Sequence, residues 1–118
     1  YSAGDFIRAH RSDPSAAIAS APEGLTKILL AHQPRSISAA ATANYDLQLS
    51  GHTHGGQYFP GNYLARLNQP YIKGLHKHGR MWIYVNRGIG YWGPPMRITA
   101  PPEITVLTLK RAEQMIYP

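Results

Sequence analysis

The 118-residue chain has 12 Lys and Arg, 6 Asp and Glu, 6 His, 11 Gly, 10 Pro and no Cys, which bounds it to one compact domain or a piece of one. Gly and Pro interrupt nearly every apolar run and so exclude a long helical bundle, while 43% hydrophobic residues exclude a wholly disordered chain. The missing cysteines exclude disulfides, thiol nucleophiles and thiolate zinc sites, and no run approaches the ~20 apolar residues that span a bilayer. A formal net charge of +6 favours an anionic partner: a phosphorylated small molecule, a nucleic acid or an acidic membrane surface. No long basic run is interleaved with aromatic residues, which argues against a nucleic-acid module.

In chain order, Asp13-Pro14-Ser15-Ala16-Ala17-Ile18 places an N-cap and a first-turn proline at the head of a short helix. Lys27-Ile28-Leu29-Leu30-Ala31 is a brief continuous apolar run, which fits a buried strand better than a helix. His32 ends it. Alanine-rich residues 36–43 suit a helix, and Asp46 to Ser50 suits a second strand. Strand, helix, strand predicts a crossover between neighbouring parallel strands. From Gly51 to Gly79 the glycine- and proline-rich sequence predicts one long functional loop, Arg80 to Asn86 restores strand character, and residues 88–95 make an irregular turn. Glu103 to Leu109 alternates polar and apolar residues, which predicts a strand whose Ile104 and Val106 face a core.

The histidines are unevenly placed. In Ser50-Gly51-His52-Thr53-His54-Gly55-Gly56-Gln57, a spacing of two on extended backbone would aim both imidazoles the same way, and neutral imidazoles suit Zn, Mn or Fe. Two exposed loop histidines would share this spacing. His32 weighs towards a site, because parallel sheets deliver functional groups at their strand ends. His76 and His78 lie around one lysine in a polar stretch, either solvated or in contact with a substrate phosphate. Arg87, at a strand end, either touches substrate phosphate or bonds loop carbonyls. Trp82, Tyr84, Tyr91 and Trp92 read as core and loop packing. His10 reads as a surface residue.

Together, Leu30-Ala31-His32-Gln33-Pro34, the Gly51 to Gln57 string, Tyr84-Val85-Asn86-Arg87-Gly88-Ile89-Gly90 and Pro101-Pro102-Glu103-Ile104-Thr105 resemble the C-terminal half of calcineurin-like metallophosphoesterases, of the YkuE/YaeI-like branch. The resemblance runs from about Lys27 to Leu109. It implies an α/β fold in which residues 1–118 are the C-terminal segment of one domain, an α/β/β/α sandwich with a mixed sheet and short helices. It implies a dinuclear centre of two divalent ions (Mn, Fe or Zn), with His32 and His52 on one ion and His54 on the other. The carboxylate motifs and catalytic histidine of that family belong to its N-terminal half. They are absent here; Gly4-Asp5-Phe6-Ile7-Arg8 and Ala43-Asn44-Tyr45-Asp46 only imitate them. The implied activity is hydrolysis of a phosphomonoester, phosphodiester or pyrophosphate by metal-activated water, on a phosphorylated small molecule or glycolipid, with this chain inactive alone. A membrane tether in the parent follows from the same resemblance, and cytoplasmic, membrane-associated and exported locations stay open. The rival reading is a noncatalytic basic domain that binds anionic polymers or membranes.

Overall fold

The computed structural model describes residues 12–57, 63, 66, 67 and 69–111. The readings of His10, of the Gly4 to Arg8 string and of most of residues 58–68 fall outside that set. Asp13 caps helix α1 (Pro14–Ile18) as expected, its Oδ1 accepting the Ala16 N–H at 3.0 Å. Strand β1 (Ile28–Leu30), a 3-10 turn (Pro34–Ser36), helix α2 (Ile37–Thr42) and strand β2 (Leu47–Ser50) follow. After a second 3-10 turn (His54–Gly56) come strands β3 (Gly74–His78) and β4 (Met81–Val85).

The four strands form one mixed sheet in the order β1-β2-β4-β3. β1 and β2 are parallel, β2 and β4 are parallel, and β3 runs antiparallel to β4. The predicted crossover is therefore present, with α2 as its helix. Asp46 sets the start of this pairing: its carboxylate accepts the Lys27 N–H at 2.7 Å while its own N–H donates to the Lys27 carbonyl at 2.9 Å.

The register sorts the side chains. Leu29, Gln48 and Ile83 share one face, and there Ile37 and Ala40 of α2 close a core with Leu29, Tyr45, Met81, Ile83 and Val85. The other face carries the rows Ile28, Leu47, Trp82 and Leu30, Leu49, Tyr84. Leu30 on that face is 78% exposed. The continuous apolar run through β1 predicts a buried strand; among the described residues it is covered only on the face of Leu29.

Three other expectations are corrected. The Gly51 to Gly79 segment is not one long loop, because residues 74–78 pair with β4 as a hairpin strand. Glu103 to Leu109 belongs to no strand, and Ile104 is 87% exposed rather than inward. Its alternation is real with the opposite phase: Glu103 and Thr105 turn in to Tyr84 and Asn86, so Ile104 and Val106 turn out. Tyr91 and Trp92 are exposed and pack in no core. No helix among the described residues is long and apolar enough to cross a membrane.

Candidate metal centre

His32 leaves the end of β1 in a turn that β2 holds from below. The Ser50 hydroxyl donates to the Ala31 carbonyl at 2.7 Å and accepts from Gln48 Nε2 at 2.8 Å, and that amide also donates to the Gln33 carbonyl at 3.3 Å. The Gly51 N–H then donates to the His32 carbonyl at 3.1 Å. Gln48 is fully buried and Ser50 nearly so. Both stand in β2 at alternate positions, where period-two alternation puts them on the covered face. They were missed in the sequence because a polar residue in a short strand normally reads as solvent-facing.

The loop after β2 is not extended. His52, His54 and Gln57 all have positive φ (69°, 49° and 53°), as do Gly55 and Gly56, so the chain coils through the left-handed region that L side chains rarely adopt. Contacts on both sides hold it there. The Thr53 hydroxyl donates to the Ile72 carbonyl at 2.6 Å. The Gln57 amide accepts the Trp92 N–H at 2.5 Å and donates to the Trp92 and Pro94 carbonyls at 2.7 and 3.1 Å.

This coil brings His52 to His32. His52 Nδ1 and His32 Nε2 are 3.1 Å apart, with ring centroids 4.9 Å apart and the planes at 76°. The contact is an N–H···N hydrogen bond; two nitrogens each ~2.0–2.1 Å from one ion at a tetrahedral angle stand roughly 3.3–3.4 Å apart, so the pair is within a few tenths of an ångström of the spacing of two ligands on a single ion. Burial lowers the His52 pKa, and the His32, Arg35 and His54 side chains lower it further. Burial also lowers that of His54, helped by Arg97 and His32 and opposed by the backbone of Arg87 and Gly90. Both shifts favour the neutral imidazole, the form that binds metal. Among the described residues no group of three or more His, Cys, Asp or Glu side chains is arranged to hold an ion alone. A pair of imidazoles could fill only part of a coordination shell.

Of the other candidate residues, His76 and His78 are not brought to this pair, whereas Arg87 packs against Gly55 of the histidine loop. His78 pairs with Met81 at the start of β4, whereas the histidine loop lies beyond the end of β4's neighbour β2. Its Nδ1 lies 3.0 Å from the Tyr71 hydroxyl. His76 stacks on the Tyr71 ring at 4.7 Å and bonds the Lys73 carbonyl through Nε2 at 2.7 Å. Arg87 directs its Nε at the Glu103 carboxylate, 2.5 Å away. Hydroxyls of Thr105 and Tyr84 together with that guanidinium hold the Glu103 pKa down at about 2.

The chain is similar to several known proteins over this region. It is 55% identical over 84 residues to a metallophosphoesterase of Helicobacter pylori strain J99, a match that covers 70% of this chain and 23% of the relative. It is 46% identical over 90 residues to the metallophosphoesterase YkuE of Bacillus subtilis, covering 73% of this chain and 32% of that protein. A Danio rerio transmembrane protein with metallophosphoesterase domain is 47% identical over 88 residues, covering 72% of this chain and 20% of the relative. No family model matches, and no solved structure matches. The chain belongs to the metallophosphoesterases, corresponds to a C-terminal part of the domain, and spans about a quarter of the length of its first relatives. Its mixed sheet and short helices are part of that α/β fold.

Proposed function

We propose that the protein to which this segment belongs is a calcineurin-like, metal-dependent phosphoesterase, and that His32, His52 and His54 are its histidine ligands at a dinuclear site. The observation that carries this reading is the 3.1 Å approach of His52 Nδ1 to His32 Nε2 from the ends of adjacent parallel strands. Two bound divalent ions would supply a water-derived nucleophile at neutral pH and offset charge on the leaving oxygen. The chain's own contribution is to hold the imidazoles in place, and burial disfavours protonation of His52 and His54. Three neutral ligands cannot balance two dications, so the carboxylates come from the rest of the domain. The bare sheet face of Ile28, Leu30, Leu49 and Trp82 supports this, because an apolar face needs a covering layer, and it ends at the turn that bears His32. Residues 1–118 are then one segment of a single domain, and the substrate is a phosphorylated small molecule or a glycolipid.

The test is hydrolysis of bis-p-nitrophenyl phosphate with added Mn2+, together with metal content, for the full-length protein and its His52→Ala variant. The reading expects metal-dependent turnover that falls with bound metal in the variant. Full metal and full rate in the variant would overturn it. Salt-sensitive binding of DNA or anionic vesicles without bound metal would favour the noncatalytic rival.

A further inference from the structure

Arg97 presents its guanidinium to several backbone carbonyls and to no carboxylate among the described residues. Nε donates to the Ala100 carbonyl at 2.7 Å, Nη2 to the Arg87 carbonyl at 2.9 Å and to that of Pro101 at 3.4 Å, and Nη1 to that of Gly90. One planar fork therefore ties both ends of the 87–101 turn to a single point, which a flexible ammonium cannot reproduce.

The same turn backs His54. The His54 Nδ1 is buried and makes no hydrogen bond among the described residues, and it lies against the turn, since a Cβ on Gly88 would meet it at 3.8 Å. Gly88 lies between Arg87 and Gly90, whose carbonyls Arg97 holds. A histidine that binds metal through one nitrogen donates its other N–H to a carbonyl or carboxylate, and that partner fixes ring orientation and basicity. We infer that Arg97 is a positioning residue for His54: by gripping the Arg87 and Gly90 carbonyls it fixes the turn that backs Nδ1 and so holds the ring with Nε2 free for metal. Gln57 completes the arrangement from the other side, joining the end of the histidine coil to Trp92 and Pro94 within the same turn.

This inference rests on the reading of His54 as a ligand, and the test separates the two. In the full-length protein, Zn2+ and Mn2+ affinities would be measured by chelator competition for the wild type, His54→Ala, Arg97→Met, Arg97→Lys and Tyr45→Phe, well below each melting temperature. Tyr45→Phe is the stability control, since it removes a buried bond from the Tyr45 hydroxyl to the Pro14 carbonyl away from the histidines. The expected result is a loss of about 10- to 100-fold in affinity for Arg97→Met, a comparable loss for Arg97→Lys despite its kept charge, and none for Tyr45→Phe. Wild-type affinity in either folded Arg97 variant, with His54→Ala still losing metal, would overturn the role of Arg97 alone. Wild-type affinity in His54→Ala would overturn the ligand reading and this inference with it. An equal loss in Tyr45→Phe would show the effect to be general destabilisation and would also overturn the inference. If Arg97→Met does not fold, Arg97→Lys decides by the same outcomes.

Discussion

The side chain of Arg87 occupies the space where a side chain on Gly55 would begin: a Cβ there would lie 2.9 Å from Arg87 Cγ and 3.0 Å from Cδ. The obstruction is the root of the arginine rather than its mobile end, and the far end is held by Glu103. Gly55 also has a φ of 65°, where an L residue costs roughly 1–2 kcal/mol before any clash. Gly55→Ala is therefore expected to destabilise by more than that strain alone and to displace His54 next to it. Thermal unfolding gives the first effect, and metal titration of the full-length protein gives the second.

Chemistry and packing should separate in a second pair of variants. Ile37 is fully buried between α2 and the sheet, so Ile37→Ala opens a cavity and should cost on the order of 2–5 kcal/mol. In the full-length protein it leaves every proposed ligand in place, and metal content per folded molecule should hold. His54→Ala should show the reverse, losing metal with little change in the unfolding midpoint. Ile104 is the wrong choice for this comparison, because its side chain stands in solvent here.

The Glu103 carboxylate gives a stability change with a defined pH window. Its pKa falls to about 2 from an ordinary value of 4.5, so its contribution is fully present above the ordinary value and is lost as pH falls through that interval. Urea unfolding across pH 2 to 6 should show a steeper acid loss for the wild type than for Glu103→Gln. The variant should be less stable at pH 7, because Arg87 then lacks its anionic partner.

Ser50→Ala removes a hydroxyl that both donates to Ala31 and accepts from Gln48. Two buried groups lose a partner at once, and each unsatisfied group costs about 1–3 kcal/mol. A drop of that order in the denaturant midpoint with an unchanged m-value is expected. Because the Ala31 carbonyl sits at the root of the His32 turn, metal affinity in the full-length protein should weaken as well.

Legibility in the sequence varied with how local the deciding interaction is. The Asp13 cap, β1, α2, β2 and the parallel crossover were readable, because a cap, an apolar run or an alanine patch is specified by adjacent residues. β3 was hidden: Gly74-Leu75-His76-Lys77-His78 offers little apolar signal, and its strand character comes from pairing with β4. The segment after Glu103 showed its alternation but not its phase, since what draws Glu103 and Thr105 inward is Tyr84, Asn86 and Arg87 from another part of the chain. The histidine string itself was readable from spacing. Its left-handed coil was not, because the restraints that hold it, from Ile72, Trp92 and Pro94, lie 19 to 37 residues away.

Gln48 bears on how the sheet finds its alignment. A slip of β2 by one residue against β1 and β4 would exchange the two faces, placing Leu47 or Leu49 beneath α2 in the position Gln48 now fills. Judged by oiliness alone, the slipped sheet would be the better one. What it would forfeit is the amide's grip on Gln33 and the Ser50 hydroxyl's bond to Ala31, leaving the Ala31 to Pro34 corner unsupported and shifting His52 by about one strand rise, ~3.3 Å, relative to His32. The buried amide thus acts as a proofreading mark, rejecting the misaligned sheet in which the two imidazoles could no longer meet.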